Sequence, residues 1–171
     1  MSSSSSLVDA ILSFLEVAVH SVLYYRELYP STLFERRRKY GIPVWMSRHP
    51  DLNTYVVKVL RNAKLFFDRG LVKRVIVPLS GPDMMVRETF VFEISNYAAG
   101  PALNLRQLED AFKGCITRIS VVDAQLKPLP KNSTFKIVVV TDVDDPNIVD
   151  EVRSARISVF CVFFNECNLA T

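Results

Sequence analysis

The chain has 171 residues, 49 % of them apolar, and a formal charge of +3. That length suits one domain around one core, and so weak a charge neither demands nor excludes a polyanionic partner. Three cysteines, Cys115, Cys161 and Cys167, form no CxxC and no even set, which argues against a disulfide framework or a zinc site and for reduced thiols packed as small apolar groups.

The opening MSSSSS has no basic region and does not look like a signal peptide. Residues 2–6 are expected to be a disordered serine tail. Ser6, with Asp9 three residues on, resembles a helix N-cap. Leu7 to Leu28 then reads as one helix of about six turns, on the order of 33 Å long, stopped by Pro30. Its apolar residues nearly encircle it, which predicts a central helix with partners on several faces. The run from Ala10 to Tyr25 holds Glu16 and His20 and falls short of the roughly 20 apolar residues a bilayer needs, so it reads as a buried helix.

Residues 31–41 are polar and basic, and Ile42 to Ser47 is a short strand. Pro50 suits the first turn of a second helix, in which Leu52, Tyr55, Val56, Val59, Leu60, Ala63, Phe66 and Phe67 keep helical spacing. Gly70 closes it. Leu71–Leu79 and Val86–Ser95 flank the turn Ser80-Gly81-Pro82-Asp83 and predict a hairpin. Asn96–Pro101 is a loop, and Asn104 with Gln107 resembles another cap. Leu105, Leu108, Phe112, Cys115, Ile116 and Ile119 form the apolar stripe of a third helix, with Lys113 and Arg118 off it.

Thr134–Thr141 predicts a strand, and 142–150 an acidic turn. Ile157–Phe164 is strand-forming, either as the last core strand or as an edge offered to a partner. Three helices and several strands that do not alternate predict an α+β fold, helices on one face of an antiparallel sheet.

Catalytic patterns are missing. The five glycines are scattered and make no phosphate loop, and no GxSxG, HExxH or Walker pattern occurs. His20 reads as a packed, hydrogen-bonded core histidine, and His49 as support for the start of the second helix. Neither has a partner at metal-binding spacing. Asp142, Asp144 and Asp145 cluster without the pattern of a calcium loop. Arg36-Arg37-Arg38-Lys39 has two readings: a phosphate contact or import signal, or a solvated edge anchored by the rings of Phe34 and Tyr40.

Four pieces carry a family resemblance: FLEVAVHSVLYYRELYP at 14–30, RRRKYGIPVWMSRHPDLNTY at 36–55, VFEI at 91–94 and the ISVVDA run from 119. Together they resemble the HORMA family, in the branch of the non-catalytic accessory subunit of DNA polymerase zeta. The likeness covers roughly Leu7 to Thr141. It implies three helices packed on an antiparallel sheet with a β-hairpin, no catalysis and no cofactor, and a division into a core at 7–141 and a C-terminal safety-belt segment at 142–171. Family members trap a short partner peptide, added as a strand to the sheet edge, under that belt.

The resemblance assigns Tyr55 to the peptide and Lys113, Arg118 and Ala124 to a second HORMA copy. It implies as partners a proline-containing segment of the polymerase zeta catalytic subunit, a scaffold translesion polymerase and a remodelling ATPase, with activators of the anaphase-promoting complex as the alternative. It places the protein in the nucleus, and in the cytoplasm as well. The departure is at the C-terminus, where 30 residues follow Thr141 and none is a tryptophan, so the safety-belt segment 142–171 is expected to be divergent or truncated.

Overall fold

The structure is a computed structural model and describes residues 2–95, 105–141 and 156–163. The expected loop 96–101, the cap at Asn104 and the acidic turn at 142–150 lie outside these residues.

Helix α1 runs from Ser2 to Tyr25. It therefore starts within the serine tract rather than at Leu7. Serine costs only a fraction of a kcal/mol per helical residue, and no breaker separates Ser2 from Leu7. Nor does Pro30 end the helix. Leu28 N–H donates to Leu23 O and Glu27 N–H to Tyr24 O, both at 3.1 Å, with Glu27 at φ 52°. This is a Schellman closure with glutamate where glycine is usual. The helix is apolar enough to cross a bilayer by length and composition, yet Ile11, Phe14, Leu15, Val17, Ala18, Val19, Val22 and Leu23 are all buried in the core.

The polar and basic segment, assigned no element from the sequence, is strand β1 (Phe34–Lys39), paired antiparallel with β2 (Ile42–Ser47) from Lys39↔Ile42 to Phe34↔Ser47. The turn residues Tyr40 and Gly41 have φ of 53° and 71°, the positive pair of a type I′ hairpin turn. Helix α2 (Pro50–Asp68) follows. His49 is its N-cap, its Nδ1 accepting from Leu52 N–H at 3.5 Å, and Pro50 holds the first helical position. Its buried stripe is Leu52, Val56, Leu60, Ala63 and Phe67.

Strands β3 (Val72–Ser80) and β4 (Val86–Ser95) form the expected hairpin, in register from Arg74↔Glu93 to Ser80↔Val86. Helix α3 is Leu105–Val122. The expected strand 134–141 is split into β5 (Thr134–Phe135) and β6 (Val138–Thr141), both antiparallel to β3. The interruption has a covalent cause. Lys136 N–H donates to Pro78 O at 3.2 Å, but proline has no N–H to return.

The last strand, β7 (Arg156–Phe163), pairs parallel with β4, from Glu88↔Arg156 to Ser95↔Phe163. The sheet is therefore antiparallel except at this margin, and β7 is its end strand: 156–163 belongs to the chain's own sheet and still presents an outer side that no described strand pairs. Parallel neighbours need a crossover of a dozen residues or more, and 60 residues separate β4 from β7.

The core lies between α1 and the sheet. Phe14 stacks on Phe112 of α3 at 4.1 Å and meets Phe92 of β4 edge-on at 6.3 Å. Removing so central a ring costs about 3–5 kcal/mol.

Candidate functional site

The sheet has two margins, and they differ. At one, β7 covers the outer side of β4 and is itself the end strand, with no described strand on its far side. β5 and β6 pair with β3 on one side, and no described strand pairs with their other side. All four residues of β6 are half-exposed. An unpaired margin of this kind presents backbone donors and acceptors to any extended segment.

Aromatic side chains stand against this margin. Tyr55 was expected in the apolar stripe of α2, but it lies beside the buried stripe, 39 % exposed, as does Phe66. The two are 11 residues apart, so helical spacing puts them on one face. Tyr55 meets Phe135 of β5 edge-on at 5.6 Å, and Tyr29 meets the same ring edge-on at 6.4 Å. Burial, then the neighbouring Tyr55, pushes the Tyr29 phenol above its ordinary value. Tyr29 and Phe135 were not among the sequence candidates. Their signal was only tertiary, because nothing in spacing connects positions 29, 55 and 135.

A buried ionic cluster braces the same end of α1. Arg26 forms a two-pronged pair with Glu88 of β4, Nε to Oε2 and Nη2 to Oε1, each 2.8 Å. It also bonds Asp123 and donates to Lys127 O at 2.6 Å. Burial works against the charge on Arg26, but the hydrogen bonds and charge of Glu88, then those of Asp123, outweigh it and hold the pKa above the usual arginine value.

The other predicted residues fall elsewhere. Lys113 and Arg118 are exposed on α3, with Gly114 and Thr117 on the surface between them and Val121 on the surface beyond Arg118. Ala124 is exposed in the 3-10 turn Asp123–Gln125 that ends α3. Arg36, Arg37 and Arg38 are exposed on β1, and Lys39 is half-buried with its Nζ 3.1 Å from Ser13 Oγ. Both expected anchors are present: Phe34 is buried, and Tyr40 meets Phe112 at 5.3 Å.

His20 differs from expectation in one respect. It is fully buried, but neither ring nitrogen has a hydrogen-bond partner. Burial, then the charge of Arg37, lowers its pKa to about 4. Cys115 is buried, and burial pushes its thiol up to about 12. Among the described residues no group of His, Cys, Asp or Glu side chains is placed to hold a metal ion.

Helices on one face of a hairpin-centred sheet, with the β5–β6 margin open, define a HORMA-type fold. A chain in the crystal structure of the Mitotic Checkpoint Complex matches 81 % of this chain and 75 % of its own with a TM-score of 0.71 at 22 % identity. The C. elegans protein HTP-2, solved bound to the HIM-3 closure motif, matches 80 % and 69 % with a TM-score of 0.62 at 14 % identity. No family model matches the chain.

Sequence similarity is narrower. The chain is 38 % identical over 141 residues to human Mitotic spindle assembly checkpoint protein MAD2B, covering 79 % of this chain and 65 % of that protein. It is 34 % identical over 128 residues to the DNA polymerase zeta processivity subunit of Arabidopsis thaliana, covering 74 % and 60 %. It is 30 % identical over 132 residues to DNA polymerase zeta subunit 2 of Drosophila melanogaster, covering 75 % and 67 %. The chain belongs to the HORMA family, in the branch of MAD2B and the accessory subunits of DNA polymerase zeta. It spans about two thirds of the length of the curated relatives it matches.

Proposed function

We propose that the protein is a non-catalytic adapter of DNA polymerase zeta in translesion synthesis and DNA damage tolerance. It takes up a proline-containing segment of the catalytic subunit as an added strand along the outer side of β5 and β6. The observation that carries this is the open margin beside Tyr55, Phe135 and Tyr29. Main-chain bonds to the margin supply affinity, and the aromatic faces supply flat apolar contact for proline rings. No bond is made or broken in this role.

The exposed surface at Lys113, Arg118 and Ala124 serves a second HORMA copy, and the bound state bridges to a scaffold translesion polymerase. A remodelling ATPase acts on the N-terminal end, and the working compartment is the nucleus. A second reading is favoured by the checkpoint name of the vertebrate relatives: the same margin takes up a segment of an anaphase-promoting complex activator.

Calorimetry with peptides from both partners tests the two readings. The catalytic-subunit peptide binds, and Tyr55→Ala weakens it about tenfold, since a lost aromatic contact of about 1.4 kcal/mol is a factor of ten. Absence of binding to either peptide by the full-length protein overturns both readings, and binding to the activator peptide alone overturns the first.

A further inference from the structure

The β1–β2 hairpin carries a surface that peptide uptake leaves unused. Between Phe34 and Arg48 stand five cations, Arg36, Arg37, Arg38, Lys39 and Arg48, against one carboxylate, Glu35. This segment is therefore +4 in a chain of net +3, and the rest of the molecule nets −1. The charge is sorted further by the pleat. Register sets Arg36 directly across from Trp45 and Arg38 across from Pro43, so these side chains share one side of the ribbon. Glu35 and Arg37, opposite Met46 and Val44, belong to the other side. The one carboxylate pairs there with Arg37. Arg36 and Arg38 are exposed and have no ion pair among the described residues.

Aromatic rings adjoin the two free arginines. Trp45 stacks on Tyr24 of α1 at 4.2 Å and 14°, and Tyr24 meets Tyr25 edge-on at 5.2 Å. All three are half-buried, so each keeps part of its surface in water. Guanidinium groups without carboxylates, next to flat rings, suit a partner that offers phosphates and unpaired bases together. An acidic peptide would satisfy the arginines and leave the rings unused. A duplex hides its base faces within its own stack.

We propose that this side of the hairpin binds single-stranded nucleic acid, Arg36 and Arg38 taking phosphates and Trp45 with Tyr24 stacking a base. The site is separate from the β5–β6 margin and does not depend on peptide uptake.

Trp45 is the chain's only tryptophan, so its fluorescence reports stacking at this position alone. The probe is an oligothymidylate of about 15 nucleotides, within the span of single-strand sites, titrated into the full chain at low salt. Binding quenches Trp45, and log K falls with log salt with a slope of about −1.4, as for two phosphates. Arg36→Glu weakens binding about tenfold and flattens the slope, whereas Arg61→Glu, the same reversal on the surface of α2, leaves it unchanged. Circular dichroism checks that both variants keep the fold. No quenching at low salt overturns the proposal. So does equal affinity for a duplex of the same length or for polyglutamate, and so does unaltered binding by Arg36→Glu.

Discussion

Removing Glu88 should be far more damaging than its place near the end of a strand suggests. The Arg26 side chain is 3 % exposed and that of Glu88 9 %, so the charge on Arg26 depends on its partners and not on water. Breaking a buried pair by deleting one member costs about 3–5 kcal/mol, because the other charge is left uncompensated. In Glu88→Ala, Asp123 and Lys127 O still face the guanidinium, which argues for the lower end, about 3 kcal/mol.

A domain of this size has about 5–15 kcal/mol in all. With a urea dependence of about 2 kcal/mol per molar, the unfolding midpoint should fall by roughly 1.5 M. Asp123 is 45 % exposed, so Asp123→Ala should cost about 1 kcal/mol at most. Replacing both partners by apolar groups, Arg26→Met with Glu88→Leu, should return stability to within about 1 kcal/mol of the parent. A Glu88→Ala variant that loses under about 1 kcal/mol would refute this reasoning. A double variant as unstable as the single one would also refute it, pointing to lost packing instead of stranded charge.

Two further outcomes concern α1. The folded state holds His20 near pKa 4 against about 6.5 for an unperturbed histidine, so between pH 6.5 and 4 only the unfolded chain takes up the proton. Stability should be unaffected by His20 above pH 6.5, fall by about 1.4 kcal/mol per unit below it, and level off about 3 kcal/mol lower near pH 4; His20→Leu should remove that limb from a series of urea melts. Glu27 sits at φ 52°, where a side chain costs about 1 kcal/mol, so Glu27→Gly should raise the thermal midpoint by a few degrees and a lower midpoint would contradict the Schellman closure.

The helices and the β3–β4 hairpin were legible because their apolar residues repeat at 3.6 or 2 and strong turn residues separate them. β1 was not, since a run of three arginines has no strand periodicity; the usable signal was Tyr40-Gly41, a two-residue turn ahead of Ile42. The break between β5 and β6 was invisible in 134–141, because its cause is Pro78 on the neighbouring strand. The site was half legible. Tyr55 could be carried over by resemblance, but its exposure and its contact with Phe135 depend on how α2 is rotated against β5, which spacing alone left ambiguous between core and surface. His20 was rightly placed in the core and wrongly given a hydrogen-bond partner, since a sequence shows that a polar group is buried before it shows what faces it.

Pro78 has an effect beyond dividing one strand into two. Because it returns no bond to Lys136, the two residues of β5 are held by a short, incomplete ladder at Leu79 and Ser80, while β4 is flanked on both sides. Local opening should therefore begin at 134–137, and amide protons there should trade with solvent deuterium sooner than those of β4. The part of the sheet that frays first is the part Tyr55 leans on. A guest laid along it would quiet that fraying, and the slowing of exchange would mark where the guest lies.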